Sequence, residues 1–211
     1  MDLAQAVEKV LPSIVQIGFL ASNLSEELHR EIGSPFITHI LGTGFFVNPK
    51  GYAITARHVI QAGRQMAERI QAGRKQILVG LAQPNTENMR GNFTLVDFDV
   101  VDEDELHDLV LLKLRKNPFE GEVRSGFMIG NKELPLLLGT VTLNPDRPKD
   151  GVAIGITGYP LRVTVPVTNA GWMATSWSTD IKEVSVLDAP ECFLVGLLEG
   201  IYLADVETNR G

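Results

Sequence analysis

Apolar and polar positions follow one another in short runs along most of this chain, and the runs are bounded by glycine, proline, asparagine or charged clusters. Such punctuation predicts short strands joined by turns. "SIVQIGFL", from Ser13, reads as the first strand. "FITHILGTGFFV" and "YAITA" flank "NPKG", whose Asn48, Pro49 and Gly51 suit the first, second and fourth positions of a type I turn, so this stretch predicts a hairpin. "QILVGLA", "NFTLVDFDVV" and "LVLLKL" continue the series to Leu114. Helical spacing occurs in two places. Leu3, Val7 and Val10 or Leu11 predict a short N-terminal helix capped by Asp2 and stopped by Pro12 and Ser13. Residues 59–76 predict the longer helix, with Gly63 and Gly73 weakening its ends.

Residues 22–35 are polar and predict a surface loop, and residues 115–130 turn polar and glycine-bearing, which marks a boundary between two halves. The second half repeats the pattern of the first in "LPLLLGTVTL", "GVAIGITGY", "RVTVPVT", "GWMATSW", "EVSVLD" and "CFLVGLLEGIYLA". Many short strands with one substantial helix predict an all-β barrel or sandwich class, and two similar halves suggest two barrels, over residues 1–125 and 126–211.

Composition narrows the partners. A net charge of −7, with no basic stripe carrying interleaved aromatics, argues against nucleic acid and against anionic membrane surfaces. The N-terminal "MDLAQAVEKVLPSIVQIGFL" has early acidic residues and no long apolar core, so neither a secretory leader nor a membrane-spanning helix is expected there. The single cysteine, Cys192, excludes an internal disulfide and, followed by Phe-Leu-Val, reads as a buried structural thiol. These features predict a cytoplasmic protein, or a periplasmic or secreted one if a leader has been removed.

Candidate chemistry centres on one histidine. His29 and His39 have no cysteine or acidic cluster at metal-ligand spacing, so no metal site is expected at either. Gly42 and Gly44 are followed by no lysine at phosphate-loop spacing and read as close-packing glycines in a strand. His58 stands where "YAITA" ends and a helical turn opens, held by a rigid element at an edge of the barrel. Asp108 immediately precedes the apolar strand "LVLLKL". An aspartate at such an edge can accept a hydrogen bond from imidazole, fix its tautomer and stabilise the imidazolium. His107 is expected to stay apart, because neighbours on a strand point to opposite faces.

The residues around this pair resemble a known family. "GTGFFVNPKGYAITARHVI" is similar to the histidine segment of trypsin-like serine peptidases, particularly the bacterial HtrA/Deg type, and "HDLVLLKL" to their aspartate segment. "AVEKVLPSIVQI" resembles their opening, and "LPLLLGT" with "GVAIGITGYPLRVTVPVTNAGW" the start of their second barrel. The resemblance implies the chymotrypsin fold: two antiparallel β-barrels with the catalytic groups in the cleft between them. It implies His58 as general base and Asp108 as its orienter, protein or peptide substrates, and no metal or organic cofactor. HtrA-type relatives often assemble as trimers, so a homo-oligomer is compatible with it. The helix after His58 is longer than the single turn usual there, and reads as a surface elaboration with Met66 and Ile70 packed inward, with a partner site as the alternative.

In that family a run such as "YLADVETNRG" leads into Gly-Asn-Ser-Gly-Gly-Pro or Gly-Asp-Ser-Gly-Gly-Pro. Gly211 matches the first glycine, a contributor to the oxyanion hole, which sets the expected nucleophile two positions further on. Ser125, Ser176, Ser178 and Ser185 lack the glycine-rich surroundings such a serine needs. The expectation is a longer protein, of which the chain ending at Gly211 lacks the nucleophile and the last strands of the second barrel and is inactive alone. Glu207, six positions before the expected serine, corresponds to the base of the primary specificity pocket, where an acidic group could select Lys or Arg, the alternative being a solvent-facing loop glutamate. HtrA-type enzymes usually carry a small residue there, so Glu207 departs from that branch. The competing expectation is a catalytically inactive binding scaffold with the same fold, and a third is an unrelated structural β-sandwich.

Overall fold

Seven strands between Ile14 and Leu114 form one antiparallel sheet in the computed structural model. The structure describes residues 3–22, 39–69, 74–82, 93–125, 128–129, 132–133, 135–143, 149, 151–159, 167–175 and 203–206. The strands are β1 (Ile14–Ser22), β2 (His39–Asn48), β3 (Tyr52–Ala56), β4 (Arg74–Ala82), β5 (Phe93–Val96), β6 (Phe98–Asp104) and β7 (Leu109–Leu114). Their order in the sheet is β5-β4-β1-β2-β3-β7-β6. The two outermost strands are thus neighbours in sequence, separated by Asp97 alone, and the sheet must curl to bring its ends together.

The expected strands "YAITA" and "LVLLKL" coincide with β3 and β7. "NFTLVDFDVV" instead divides at Asp97. Its carbonyl accepts the Arg115 N–H at 2.9 Å and its carboxylate accepts the Gln76 amide, which turns the chain from β5 into β6. The hairpin at residues 48–51 closes as the sequence predicts. The Asn48 side chain accepts the Lys50 N–H at 3.0 Å, and Gly51 takes φ 77°, a value open to glycine without steric cost.

Alternate residues of the strands fill the interior. Val15 and Ile17 of β1, Val79 and Leu81 of β4, and Val110, Leu112 and Leu114 of β7 are buried there, with Phe46 opposite Ala53 and Ala53 opposite Leu112. The small Ala53 leaves room for the two large side chains on either side, and Phe46 also meets Phe119 edge-to-face at 5.0 Å.

Two helices accompany the sheet. The N-terminal one, α1 (Leu3–Val10), runs into a 3₁₀ turn over Leu11–Ser13. The longer one, α2 (Arg57–Arg69), starts earlier and ends sooner than the predicted span of 59–76. Arg74, Lys75 and Gln76 already belong to β4, pairing with Ser22, Ala21 and Leu20 of β1, and that ladder overrides their helical spacing. Met66 is half-buried, while Ile70 and Gly73 lie outside the described residues. Gly63 does not mark a helix end. It is buried mid-helix, where a Cβ would come within 2.7 Å of Ile77 and 2.8 Å of Leu41.

The second half contributes β8 (Met128–Ile129), β9 (Lys132–Glu133), β10 (Ala153–Gly158), β11 (Val167–Thr175) and β12 (Leu203–Val206). The latter three form an antiparallel sheet in the order β10-β11-β12. "LPLLLGTVTL" is not a strand over its described residues 135–143. Its backbone is held at separate points instead, through Leu137 N–H to the Ala82 carbonyl and Val141 N–H to the Phe46 carbonyl, each 2.9 Å. "RVTVPVT" and "GWMATSW" are not separated by a turn either. Asn169, Ala170 and Gly171 stay paired with Ile156, Gly155 and Ile154, so β11 is continuous across them. Of the loop expected at 22–35, Ser22 instead ends β1, paired with Arg74, while residues 23–35, the strand "EVSVLD" and residues 192–202 lie outside the described residues. The mostly β-strand architecture, with one curled sheet and a partial second one among the described residues, is the all-β class expected from the sequence.

Gly42 and Gly44 are the close-packing glycines the sequence predicts. A Cβ on Gly42 would lie 2.6 Å from one Val59 methyl carbon and 3.1 Å from the other, while one on Gly44 would lie 3.0 Å from the Ile54 carbonyl oxygen. Val59 is buried and stiff at χ1, so it has no easy way to yield. Gly42→Ala is therefore expected to destabilise the protein by about 1–3 kcal/mol in urea titration. Adding Val59→Ala should cost less than the sum of the two single changes, and strict additivity would mean that the helix does not rest on Gly42.

Candidate active site

β3 ends at Ala56, which pairs with Leu109 at the start of β7. The pairing continues one step further, because the Arg57 N–H donates to the Asp108 carbonyl at 2.9 Å. Arg57 is also the first residue of α2. The chain thus leaves the sheet as a helix at the level where the turn of residues 105–108 arrives to start β7. His58 and Asp108, fifty residues apart in sequence, meet at that level.

The Asp108 carboxylate engages His58 at two points. Its Oδ1 accepts the His58 backbone N–H at 2.9 Å, and its Oδ2 lies 2.6 Å from the ring Nδ1. The backbone N–H groups in the first turn of a helix have no acceptor within it, so this carboxylate serves as a cap supplied from another strand. An ionised carboxylate only accepts, so the proton between them belongs to Nδ1 and the neutral ring keeps its lone pair on Nε2. The His58 side chain is 70% exposed and that of Asp108 51%.

Asp108 is the single non-glycine residue with positive φ among the described residues, at 55°. Aspartate visits this left-handed region more readily than larger residues do, because its short polar side chain can bond locally. Partial burial pushes its carboxyl upward, but the hydrogen bonds from the His58 ring and backbone, together with the charges of His58 and Arg57, outweigh that and hold it below the usual aspartate value.

The neighbouring groups are charged and paired. The Arg57 guanidinium lies 3.4 Å from Glu103 and 3.3 Å from Glu105, and Arg64 lies 2.7 Å from Glu103. Sequence reasoning passed over Arg57, although an arginine next to the candidate base and an acidic run before Asp108 were there to be matched. His107 keeps apart from His58, though not by strand alternation as expected. It sits in the turn, where Asp104 takes its ring Nδ1 at 2.7 Å and its N–H at 3.1 Å.

The two halves of the chain touch near this edge. The Tyr159 N–H donates to the Thr43 hydroxyl at 2.6 Å, and a Cβ on Gly158 would lie 2.7 Å from that same oxygen. The Thr55 hydroxyl in turn donates to the Thr43 carbonyl at 2.8 Å. Burial raises the Tyr159 phenol to about 12, so it stays neutral. Glu207 and Gly211 lie outside the described residues, as do His29, Ser176, Ser178, Ser185 and Cys192. Ser125 is buried, and His39 opens β2 on the surface. Among the described residues no cluster of His, Cys, Asp and Glu could hold a metal ion, and no helix is long and apolar enough to cross a membrane.

A histidine whose tautomer is set by a carboxylate, at the rim of an antiparallel barrel, is equipped to accept a proton at Nε2. The family model for the trypsin-like peptidase domain matches residues 42–189, a stretch that starts in β2 and includes both His58 and Asp108. The chain belongs to this family. As a trypsin-like peptidase domain it shares the family's all-β architecture, and proteins or peptides are its class of substrate. Among curated proteins none matches the chain.

The depressed Asp108 value has a measurable consequence. Its folded-state pKa lies below that of the unfolded chain, so ionised Asp108 contributes stability at neutral pH, and that contribution disappears as pH falls through the lowered folded value. Asp108→Asn, which tolerates the same backbone, is expected to be less stable than wild type at pH 7, with the gap narrowing below pH of about 4. Thermal unfolding at a series of pH values reads this directly. A gap that stays constant down to pH 2 would show that His58 is not held by ionised Asp108.

Proposed function

We propose that the protein is a serine endopeptidase of the HtrA/Deg type within the trypsin-like family, with His58 as general base and Asp108 as its orienter. The observation that supports this most strongly is the two-point grip of Asp108 on His58, which leaves Nε2 as the acceptor of an exposed ring. In this reading the polypeptide has two barrels, over 1–125 and 126–211, and the nucleophilic serine stands two positions after Gly211.

The chemistry follows from those roles. The serine oxygen attacks the scissile carbonyl carbon while its proton passes to His58 Nε2, and Asp108 stabilises the imidazolium that forms. Negative charge develops on the former carbonyl oxygen, where backbone N–H groups including that of Gly211 would receive it. Collapse returns the proton from Nε2 to the leaving amine and leaves an acyl-enzyme. Water, activated by the same nitrogen, then releases the acid. Glu207 at the base of the primary pocket would favour Lys or Arg at the cleavage site by charge pairing.

The test is the intact mass of the full-length gene product before and after a fluorophosphonate probe, followed by peptide mapping. Modification at the serine two residues after Gly211 is expected, slowed about 100-fold or more by His58→Ala. A chain ending at Gly211 should show no peptidase turnover. A full-length product that carries another residue at that position and refuses the probe would instead be a binding scaffold on the same fold. With the active protein, Arg-ending reporters should be cleaved faster than Val-ending ones, and the reverse order would remove Glu207 from the pocket.

A further inference from the structure

Arg57 stands where several elements converge. Its N–H holds the Asp108 carbonyl, which adds the last rung between the β3 and β7 sides. Its guanidinium reaches Glu103 on β6 and Glu105 in the turn that delivers Asp108. One helical turn on, the Gln61 amide oxygen, oriented to satisfy its neighbours, accepts from the same guanidinium at 2.7 and 3.2 Å. Glu103 is gripped a second time by Arg64 of α2, whose hydrogen bond is the main effect holding that carboxyl below its usual value.

This is a different arrangement from an ordinary surface pair. Arg115 and Asp99, further along the same sheet, are 59% and 58% exposed, whereas Arg57 and Glu103 are 23% and 26% exposed. A solvated pair contributes little to geometry or stability. The Arg57 side chain is three-quarters covered, and its planar guanidinium joins Glu103 on β6 to Gln61 on α2. Its turn partner Glu105 is 81% exposed, and the turn is held chiefly by the Arg57 N–H on the Asp108 carbonyl. These elements are therefore restricted in how they move against one another. Such restraint is needed where Asp108 holds a left-handed backbone.

We infer that Arg57 is a positioning residue for the His58–Asp108 pair, tying β6 and the 105–108 turn to the first turn of α2 so that carboxylate and imidazole keep their contact. The inference rests on the reading of that pair as orienter and base. Arg57 also acts through its charge. His58 and Arg57 are the groups whose charges lower Asp108, while Glu103, Glu105 and Arg64 surround Arg57, and His107 is occupied by Asp104. Removing the guanidinium charge takes away one of the effects that hold Asp108 down and leaves Glu103 and Glu105 less compensated, and both changes raise its titration midpoint.

The experiment compares wild type with Arg57→Gln, Arg57→Lys and the double variant Glu103→Gln/Glu105→Gln, all in the full-length protein. Three quantities are measured: the Asp108 carboxyl midpoint from its ¹³C shift, the downfield Nδ1 proton resonance of His58, and the rate of fluorophosphonate labelling. Arg57→Gln is expected to raise the Asp108 midpoint, weaken the Nδ1 resonance and slow labelling about tenfold or more, as misplacement of a catalytic group does. Arg57→Lys keeps the charge without the planar fork, so it should restore the midpoint and recover part of the rate. The double variant leaves Arg57 in its place at the start of α2, and it should weaken the resonance and slow labelling even if Arg57→Gln does not fold. A merely structural Arg57 would lower the unfolding midpoint while the titration, the resonance and the labelling rate stayed at wild-type values, and that result overturns the inference. A wild-type protein that refuses the probe would remove the peptidase reading, with the NMR quantities still deciding the role of Arg57.

Discussion

The ladder between β3 and β7 is the constraint on which the site depends. Its last strand pair is Ala56 with Leu109, and the Arg57–Asp108 bond continues it by one residue on each side. Without that register the candidate base and its carboxylate would be two unrelated residues fifty positions apart. The register is in turn set by the core, where Ala53 lies between Phe46 and Leu112. A slip of one residue would carry the apolar face of β7 from the interior to the surface and displace Asp108 by about 3.3 Å from His58. The packing of the barrel and the geometry of the pair are therefore one specification.

At the rim, the same ladder brings several weak effects to one place. The Asp108 carboxylate lies at the N-terminus of α2, the end of a helix that favours negative charge, and it also caps a backbone N–H there. Close packing contributes from below, because Gly42 lets Val59 approach β2 and so seats the first turn of the helix. The left-handed backbone of Asp108 is the one local cost evident here, and it occurs where a carboxylate must turn back toward the helix. Ion pairs on the β6 side then stiffen a junction that is half exposed.

The sequence was legible where local preference and tertiary environment agree. "YAITA" and "LVLLKL" are short, largely apolar runs bounded by turn signals, and as strands they bury every second residue against the barrel interior. Legibility failed where a partner overruled local preference. Residues 74–76 continue a helical pattern but pair with β1, and residues 135–143 look like a strand but bond to the sheet only at isolated points. Periodicity reports which face is apolar, and it carries no information about which neighbour will supply the hydrogen bonds.

By itself, then, the amino-acid sequence determined the β-rich class, the hairpin at Asn48–Gly51, and the placing of His58 and Asp108 at the ends of their strands. These follow from side-chain period and turn chemistry, which act between residues close in sequence. Tertiary structure alone decided that Asp108 holds both the ring and the backbone of His58, that it does so with a positive φ, and that Arg57 reaches Glu103 and Glu105. Those contacts depend on the register between strands that are far apart in the chain, and register is a property of the packed sheet rather than of any one segment.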